Sequence, residues 1–126
     1  MQSPLTLRRH PWMLSVCKIA RHHAPAVGEN RFYNLTVAPT ECSLVCETMH
    51  APAHATARED GWRGFEIIGP LDFAMTGVVA GISAVLAQAE ISIFVISSFD
   101  TDFILVREAA YERAATLLRN VGYGME

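Results

Sequence analysis

The sequence predicts an α+β fold in which an antiparallel sheet carries its helices on one face, and three observations support it. Three short strand-like segments fall between residues 12 and 48, where helical periodicity is weak. Beyond residue 61 the period changes and reads strand, helix, strand, strand, helix. Between these halves, Met49 to Asp60 is rich in Ala, Pro, His and charge and reads as a linker. Two units of residues 1–60 and 61–126 are therefore expected.

Trp12 to Ile19, Phe32 to Val37 and Ser43 to Thr48 are the first three expected strands, with Pro39-Thr40-Glu41 as a tight connection. Arg21 to Asn30 is polar and broken by Pro25 and Gly28, so a loop or at most one helical turn is expected. Trp62 to Ile68 opens the second half as a strand. Val78, Val79, Ile82, Val85, Leu86 and Ala89 then recur at helical spacing, so one face of that helix packs on a sheet. Gly81 within it costs about 1 kcal/mol relative to alanine. Close packing along Gly77, Ala80, Gly81 and Ala84 would offset that cost.

Ile91 to Ser97 is β-branched and almost wholly apolar, as expected of a central strand covered on both faces. Asp100 to Asp102 makes a turn and Phe103 to Val106 returns. The last helix is expected from Glu108 to Val121, with Tyr111, Ala114, Ala115, Leu118 and Val121 inward and Gly122 as its C-cap. This order is most of a ferredoxin-like βαββαβ unit, short of its final strand. That strand is expected from the first half or from a partner chain.

Composition narrows the function classes. Of 126 residues 51% are hydrophobic, yet charge interrupts each apolar run before the roughly 20 residues that a membrane helix needs. No spanning segment is expected. The first residues lack a secretory signal pattern, which makes a cytoplasmic location the default expectation. Cys17, Cys42 and Cys46 are an odd count and read as reduced thiols. Residues 1–60 carry 6 basic and 5 acidic groups (+1), residues 61–126 carry 4 and 8 (−4), which together give the net −3. No basic stripe is present to neutralise phosphates, so nucleic acid is not an expected partner. The acidic half suits a cationic ligand, or is solvated surface.

The pieces Gly69-Pro70-Leu71-Asp72-Phe73, Thr76-Gly77-Val78, Ile91-Ser92-Ile93-Phe94 and Ser97-Ser98-Phe99-Asp100-Thr101-Asp102-Phe103-Ile104-Leu105-Val106 occur in this order over residues 61–121. In that combination the sequence resembles the ACT domain family, specifically the compact tandem proteins related to the CASTOR arginine sensors and to aspartokinase regulatory domains. The first half resembles their degenerate N-terminal ACT-like unit. The resemblance implies a regulatory protein that binds a small molecule, usually an amino acid, at an interface between ACT units. It implies no cofactor. Leu71, Asp72, Thr76, Gly77 and Val78 match the segment that meets the ligand's carboxylate or amine. Ser97, Ser98, Asp100, Thr101 and Asp102 match the opposite wall, with Asp102 where the arginine sensors place a carboxylate for a guanidinium.

Elementary chemistry permits these roles. Unpaired N–H groups at a helix start accept an anion, and a carboxylate and a guanidinium form two parallel charge-assisted hydrogen bonds. Each residue also has a plainer reading. Asp72 and Thr76 suit helix N-caps, Asp100 and Asp102 suit a turn without any ligand, and Gly77 suits a backbone requirement. Ordinary ACT domains often carry Pro-Gly at the first helix start, where this sequence has Thr76-Gly77.

Two further constellations compete. Cys42, Cys46, His50 and His54 recur at every fourth position, but Pro52 interrupts any helix through them, and the spacing departs from structural-zinc patterns. No metal is expected there, and His22-His23 reads as exposed loop. No nucleophile elbow, phosphate loop or Cys-His arrangement points to catalysis; Asp100 with Asp102 could act as an acid–base pair only if a pocket raised one pKa. The expectation is a non-enzymatic amino-acid sensor, self-associating as a homodimer or larger, whose regulated target lies on another chain. The other reading is a structural or protein-interaction module that uses the same surface.

Overall fold

The computed structural model describes residues 5–68 and 77–126. The chain divides into two compact units, one of Trp12–Trp62 and one of Met1–Pro11 with Arg63–Glu126. The boundary expected near residue 60 thus falls within a strand, and residues 1–11 group with the C-terminal unit.

In the N-terminal unit, strands β2 (Leu14–Ile19), β3 (Tyr33–Val37), β4 (Cys42–Glu47) and the first part of β5 (Ala57–Ile67) lie in the order β3-β4-β2-β5, all antiparallel. Alternation sets Cys17 and Ile19 beside Cys42, Leu44 and Cys46 in one buried cluster, with Tyr33, Ala24, Ala51 and Ala55 packed against it. Between Leu14↔Trp62 and Val16↔Glu59 the register slips by one residue on β5, and Gly61 (φ 86) takes the left-handed conformation that such a bulge requires.

Polar clamps complete this unit. Glu47 is 3% exposed, and its carboxylate accepts hydrogen bonds from Arg31 N (2.6 Å), Nη2 (2.8 Å) and Nε (3.2 Å). The Arg31 guanidinium holds that carboxyl below its usual pKa. Buried Ser15 donates to Asp60 Oδ1 at 2.5 Å. The linker expected over Met49 to Asp60 is shorter than its composition suggests. Residues 57–60 belong to β5, where their charges mark an exposed strand.

The C-terminal unit contains β1 (Thr6–Arg9), the rest of β5, α1 (Val78–Gln88), β6 (Ile93–Ser97), β7 (Asp102–Arg107), α2 (Tyr111–Asn120) and β8 (Gly124–Met125). Its strands follow the path β6-β7-β5-β1-β8. Phe65, Ile67, Ile104, Val106 and Leu7 from the strands meet Ile82 and Leu86 of α1 and Tyr111, Ala114, Ala115 and Leu118 of α2 in one buried core. Beside β5 the missing strand is β1, from the same chain, antiparallel in the register Leu7↔Ile67. β1 in turn pairs parallel with β8, so the sheet is not wholly antiparallel.

Three consecutive polar residues, Arg8, Arg9 and His10, hold β1 and the residue after it in place. Arg8 Nε lies 3.1 Å from Glu126 Oε1, Arg9 pairs with Glu112, and His10 Nε2 lies 2.8 Å from Glu66 Oε1. Buried Tyr111 stacks on Phe65, accepts from His10 N at 3.2 Å and donates to Gly64 O at 2.7 Å. The Arg63 guanidinium lies over the Tyr111 ring, 3.9 Å from its centre.

Three expectations about this unit are corrected. The strand expected at the centre, Ile91 to Ser97, begins at Ile93 and, among the described residues, pairs only with β7. Ile93, Phe94 and Val95 are half-buried and Ile96 is buried, by packing rather than by strands on both sides. The last helix starts after a 3-10 turn at Glu108–Ala110 and stops at Asn120, so Val121 lies beyond its inward face and is 52% exposed.

Candidate functional site

Leu71, Asp72 and Thr76 lie outside the described residues. The other seven expected site residues all belong to the C-terminal unit and fall at two places. Gly77 and Val78 begin α1. Gly77 is its N-cap, with φ 82, and no side chain among the described residues caps it. Gly81 N donates to Gly77 O at 2.8 Å, the first bond of the helical ladder. A Cβ built on Gly77 would meet none of the described residues within 4 Å. The first turn holds no acidic residue, which leaves its partial positive charge uncompensated by the helix itself.

The second place is the end of the β6–β7 hairpin. Ser97 closes β6 opposite Asp102, which opens β7. Ser97 Oγ donates to Asp102 Oδ1 at 2.5 Å. Ser98 N and Ser98 Oγ both donate to Thr101 O, at 2.8 and 3.0 Å, and close the turn. Phe99, 79% exposed, and Asp100 form the tip. Thr101 Oγ1 donates to Ile67 O, the last residue of β5. That bond ties the turn to the strand end from which the chain runs on toward α1.

The half-buried Asp102 carboxylate can accept several hydrogen bonds, of which Ser97 supplies one; a cationic group would use the remaining capacity. Asp100 is at the exposed tip while Asp102 is held by Ser97, so the hairpin gives the two carboxylates separate surroundings. Sequence reading missed the Ile67 carbonyl as the anchor of Thr101. Its only signal was a threonine in a turn otherwise made of Ser and Asp.

The fold does not assemble Cys42, Cys46, His50 and His54. β4 turns both cysteines into the buried cluster, and His54 is exposed beside His23. Among the described residues no three or more His, Cys, Asp or Glu side chains come together to hold a metal. Burial pushes the Cys46 thiol up to about 11 and raises that of Cys17, so neither is a ready thiolate. No helix among the described residues is long and apolar enough to cross a membrane.

A β-α-β-β-α order on a mostly antiparallel sheet defines a ferredoxin-like α+β protein, with a hairpin turn tied to the strand end that precedes the first helix. The ACT domain family matches residues 57–120, and the chain belongs to that family. A solved protein of Agrobacterium tumefaciens is 29% identical, with a TM-score of 0.86 over 98% of this chain and 94% of that one. A Vibrio cholerae protein described as a possible transport protein is 18% identical, with a TM-score of 0.69 over 93% and 89%. The regulatory subunit of aspartate kinase from Thermus thermophilus is 11% identical, with a TM-score of 0.62 over 95% and 97%. The last two share the fold. A search of curated proteins finds no match.

Proposed function

We propose that this protein is an amino-acid-binding regulatory protein, with the ligand between the segment 71–78 and the turn 97–102, at an interface between ACT units. Membership of a family whose domains generally bind amino acids in regulatory roles supports the reading. The observation that carries it is the Thr101 to Ile67 hydrogen bond, which holds the turn at the strand end leading to α1. The helix start at Gly77 would receive the ligand's carboxylate and Asp102 its cationic group, so arginine or lysine is the preferred class. The further parts of the reading are a tandem arrangement with a degenerate N-terminal ACT-like unit, helices on one face of the sheet, and a CASTOR-like relation. A homodimer or larger assembly, a cytoplasmic location, a regulated target on another chain and no catalysis complete it.

A thermal-shift screen over the twenty amino acids tests this, because a ligand that binds the folded state raises the melting temperature by mass action. Arginine or lysine should give the largest shift, and Asp102→Ala should remove it. If no amino acid at millimolar concentration shifts the parent protein, the reading fails. Tighter calorimetric binding of leucine or aspartate than of arginine would overturn the cationic preference alone. One observation favours a module without ligand: the Ser97 hydroxyl already serves the Asp102 carboxylate. In that case Asp102→Ala changes stability and nothing else.

A further inference from the structure

We propose that His23 and His54 form a two-imidazole site for a divalent late transition-metal ion, Cu(II) ahead of Ni(II) and Zn(II). Both residues belong to the Trp12–Trp62 unit, where the fold brings their exposed rings to 6.2 Å between centroids, edge to face at 77°. Two imidazoles sharing one ion at a metal–nitrogen distance of about 2 Å have ring centres roughly 5–6 Å apart. A small rotation of the exposed His23 side chain, with His54 held by its own hydrogen bond, closes that gap. The backbones are already fixed. Ala24 and Ala55, each next in sequence to one of the histidines, pack on the same cluster of Cys17, Ile19, Cys42, Leu44 and Cys46. His23 N donates to Ala20 O at 3.2 Å and Ala55 N to Pro52 O at 3.3 Å, so both segments are held in turns.

The tautomer of His54 is set as well. Its Nε2 lies 2.8 Å from the carbonyl oxygen of His23, which can only accept, so in the neutral ring Nε2 carries the hydrogen and Nδ1 the lone pair. Metal-binding histidines almost always donate their other ring N–H to such an acceptor, which fixes the ring and raises its basicity. With no third protein ligand among the described residues, water completes the coordination. Neutral imidazole ligands suit these ions, and the general affinity order puts copper first. The site differs from the regular Cys-Cys-His-His series in the sequence: its cysteines are buried and only His54 is shared.

Titration of the untagged full chain with Cu(II) near neutral pH, followed by electron paramagnetic resonance, tests the proposal. The expected spectrum shows coupling to two nitrogens. His23→Ala and His54→Ala should each weaken binding by about tenfold or more, the scale on which support of metal ligands is felt, whereas His50→Ala should bind as the parent does. Equal binding by the parent and His54→Ala, or a spectrum with fewer than two nitrogens, overturns the site. Both variants alter exposed side chains, and an unchanged circular dichroism spectrum would exclude misfolding as the cause of a loss. Ni(II) provides a second readout. It should raise the melting temperature of the parent and not of His54→Ala, and no rise in the parent at saturating Ni(II) counts against the site.

Discussion

Residues 63–126 cover their strands with two helices, and the core between them contains Phe65, stacked on Tyr111, together with Ile82, Leu86 and Leu118. Residues 12–62 contain no α-helix among the described residues, and the buried cluster on their sheet is built from three cysteines, Ile19 and Leu44. Polar anchors stand in for helices there: Arg31 on buried Glu47 and Asp60 on buried Ser15. The difference teaches that two units of one chain can be held by different forces. Apolar area and close packing dominate the C-terminal core, whose pairs Arg8–Glu126, Arg9–Glu112 and Arg63–Glu108 end on exposed carboxylates; in the N-terminal unit the pairing reaches a buried carboxylate, Glu47, and responds to pH.

The contrast can be broken first at its strongest point. Phe65→Ala should cost about 3–5 kcal/mol, the range for removing a large buried aromatic, measured by urea unfolding with hydrogen exchange to locate the loss in residues 63–126. A loss spread equally over residues 12–62 would dissolve the distinction. Gly64→Ala comes next. A Cβ there would stand 2.9 Å from Leu105 Cδ2, and Leu105 is itself buried, so overpacking of about 1–3 kcal/mol is expected.

Acid should separate the units by mechanism. The folded carboxyl of Glu47 has a lowered pKa, so its stabilisation is present above the unfolded value and is lost as pH falls through the folded one. Hydrogen exchange across that acidic range should loosen residues 30–47 ahead of the C-terminal core, and Arg31→Ala should flatten the dependence. An unchanged acid profile in that variant would refute the role given to the pair. The smallest effect is at sulfur. Cys46→Ala removes one buried heavy atom and should cost about 1 kcal/mol. Iodoacetamide should leave Cys17, Cys42 and Cys46 unmodified in the folded chain near neutral pH and modify all three in denaturant.

Much of this fold was legible because alternation and helical spacing report burial directly. Tyr111, Ala114, Ala115 and Leu118 read inward and are inward. β1 was not legible, since Thr6-Leu7-Arg8-Arg9 contains one apolar residue and becomes a strand only between β5 and β8. The same long-range dependence explains Ile93–Ser97: its composition marks burial, and composition does not distinguish an interior strand from one packed by other means. In the candidate site, Ser and Asp at a hairpin end were readable from turn chemistry. The hold of Thr101 on Ile67 was not, because it joins residues 34 apart that no local pattern connects.

The anchoring of β1 has a consequence for the order of events during synthesis. Thr6 pairs with Gly124, and Arg8 with Glu126, a separation of 118 residues. β1 precedes the other described strands in sequence and is therefore among the last to find both of its neighbours. Residues 12–62 are contiguous and have all their own strand partners once Trp62 has emerged. Closing a long loop costs little more than closing a moderate one, since the entropy grows only with the logarithm of length, but contacts so distant in sequence form slowly. Until β8 arrives, β1 presents a backbone edge open to other strands, and Arg8 and Arg9 keep that edge charged while it waits.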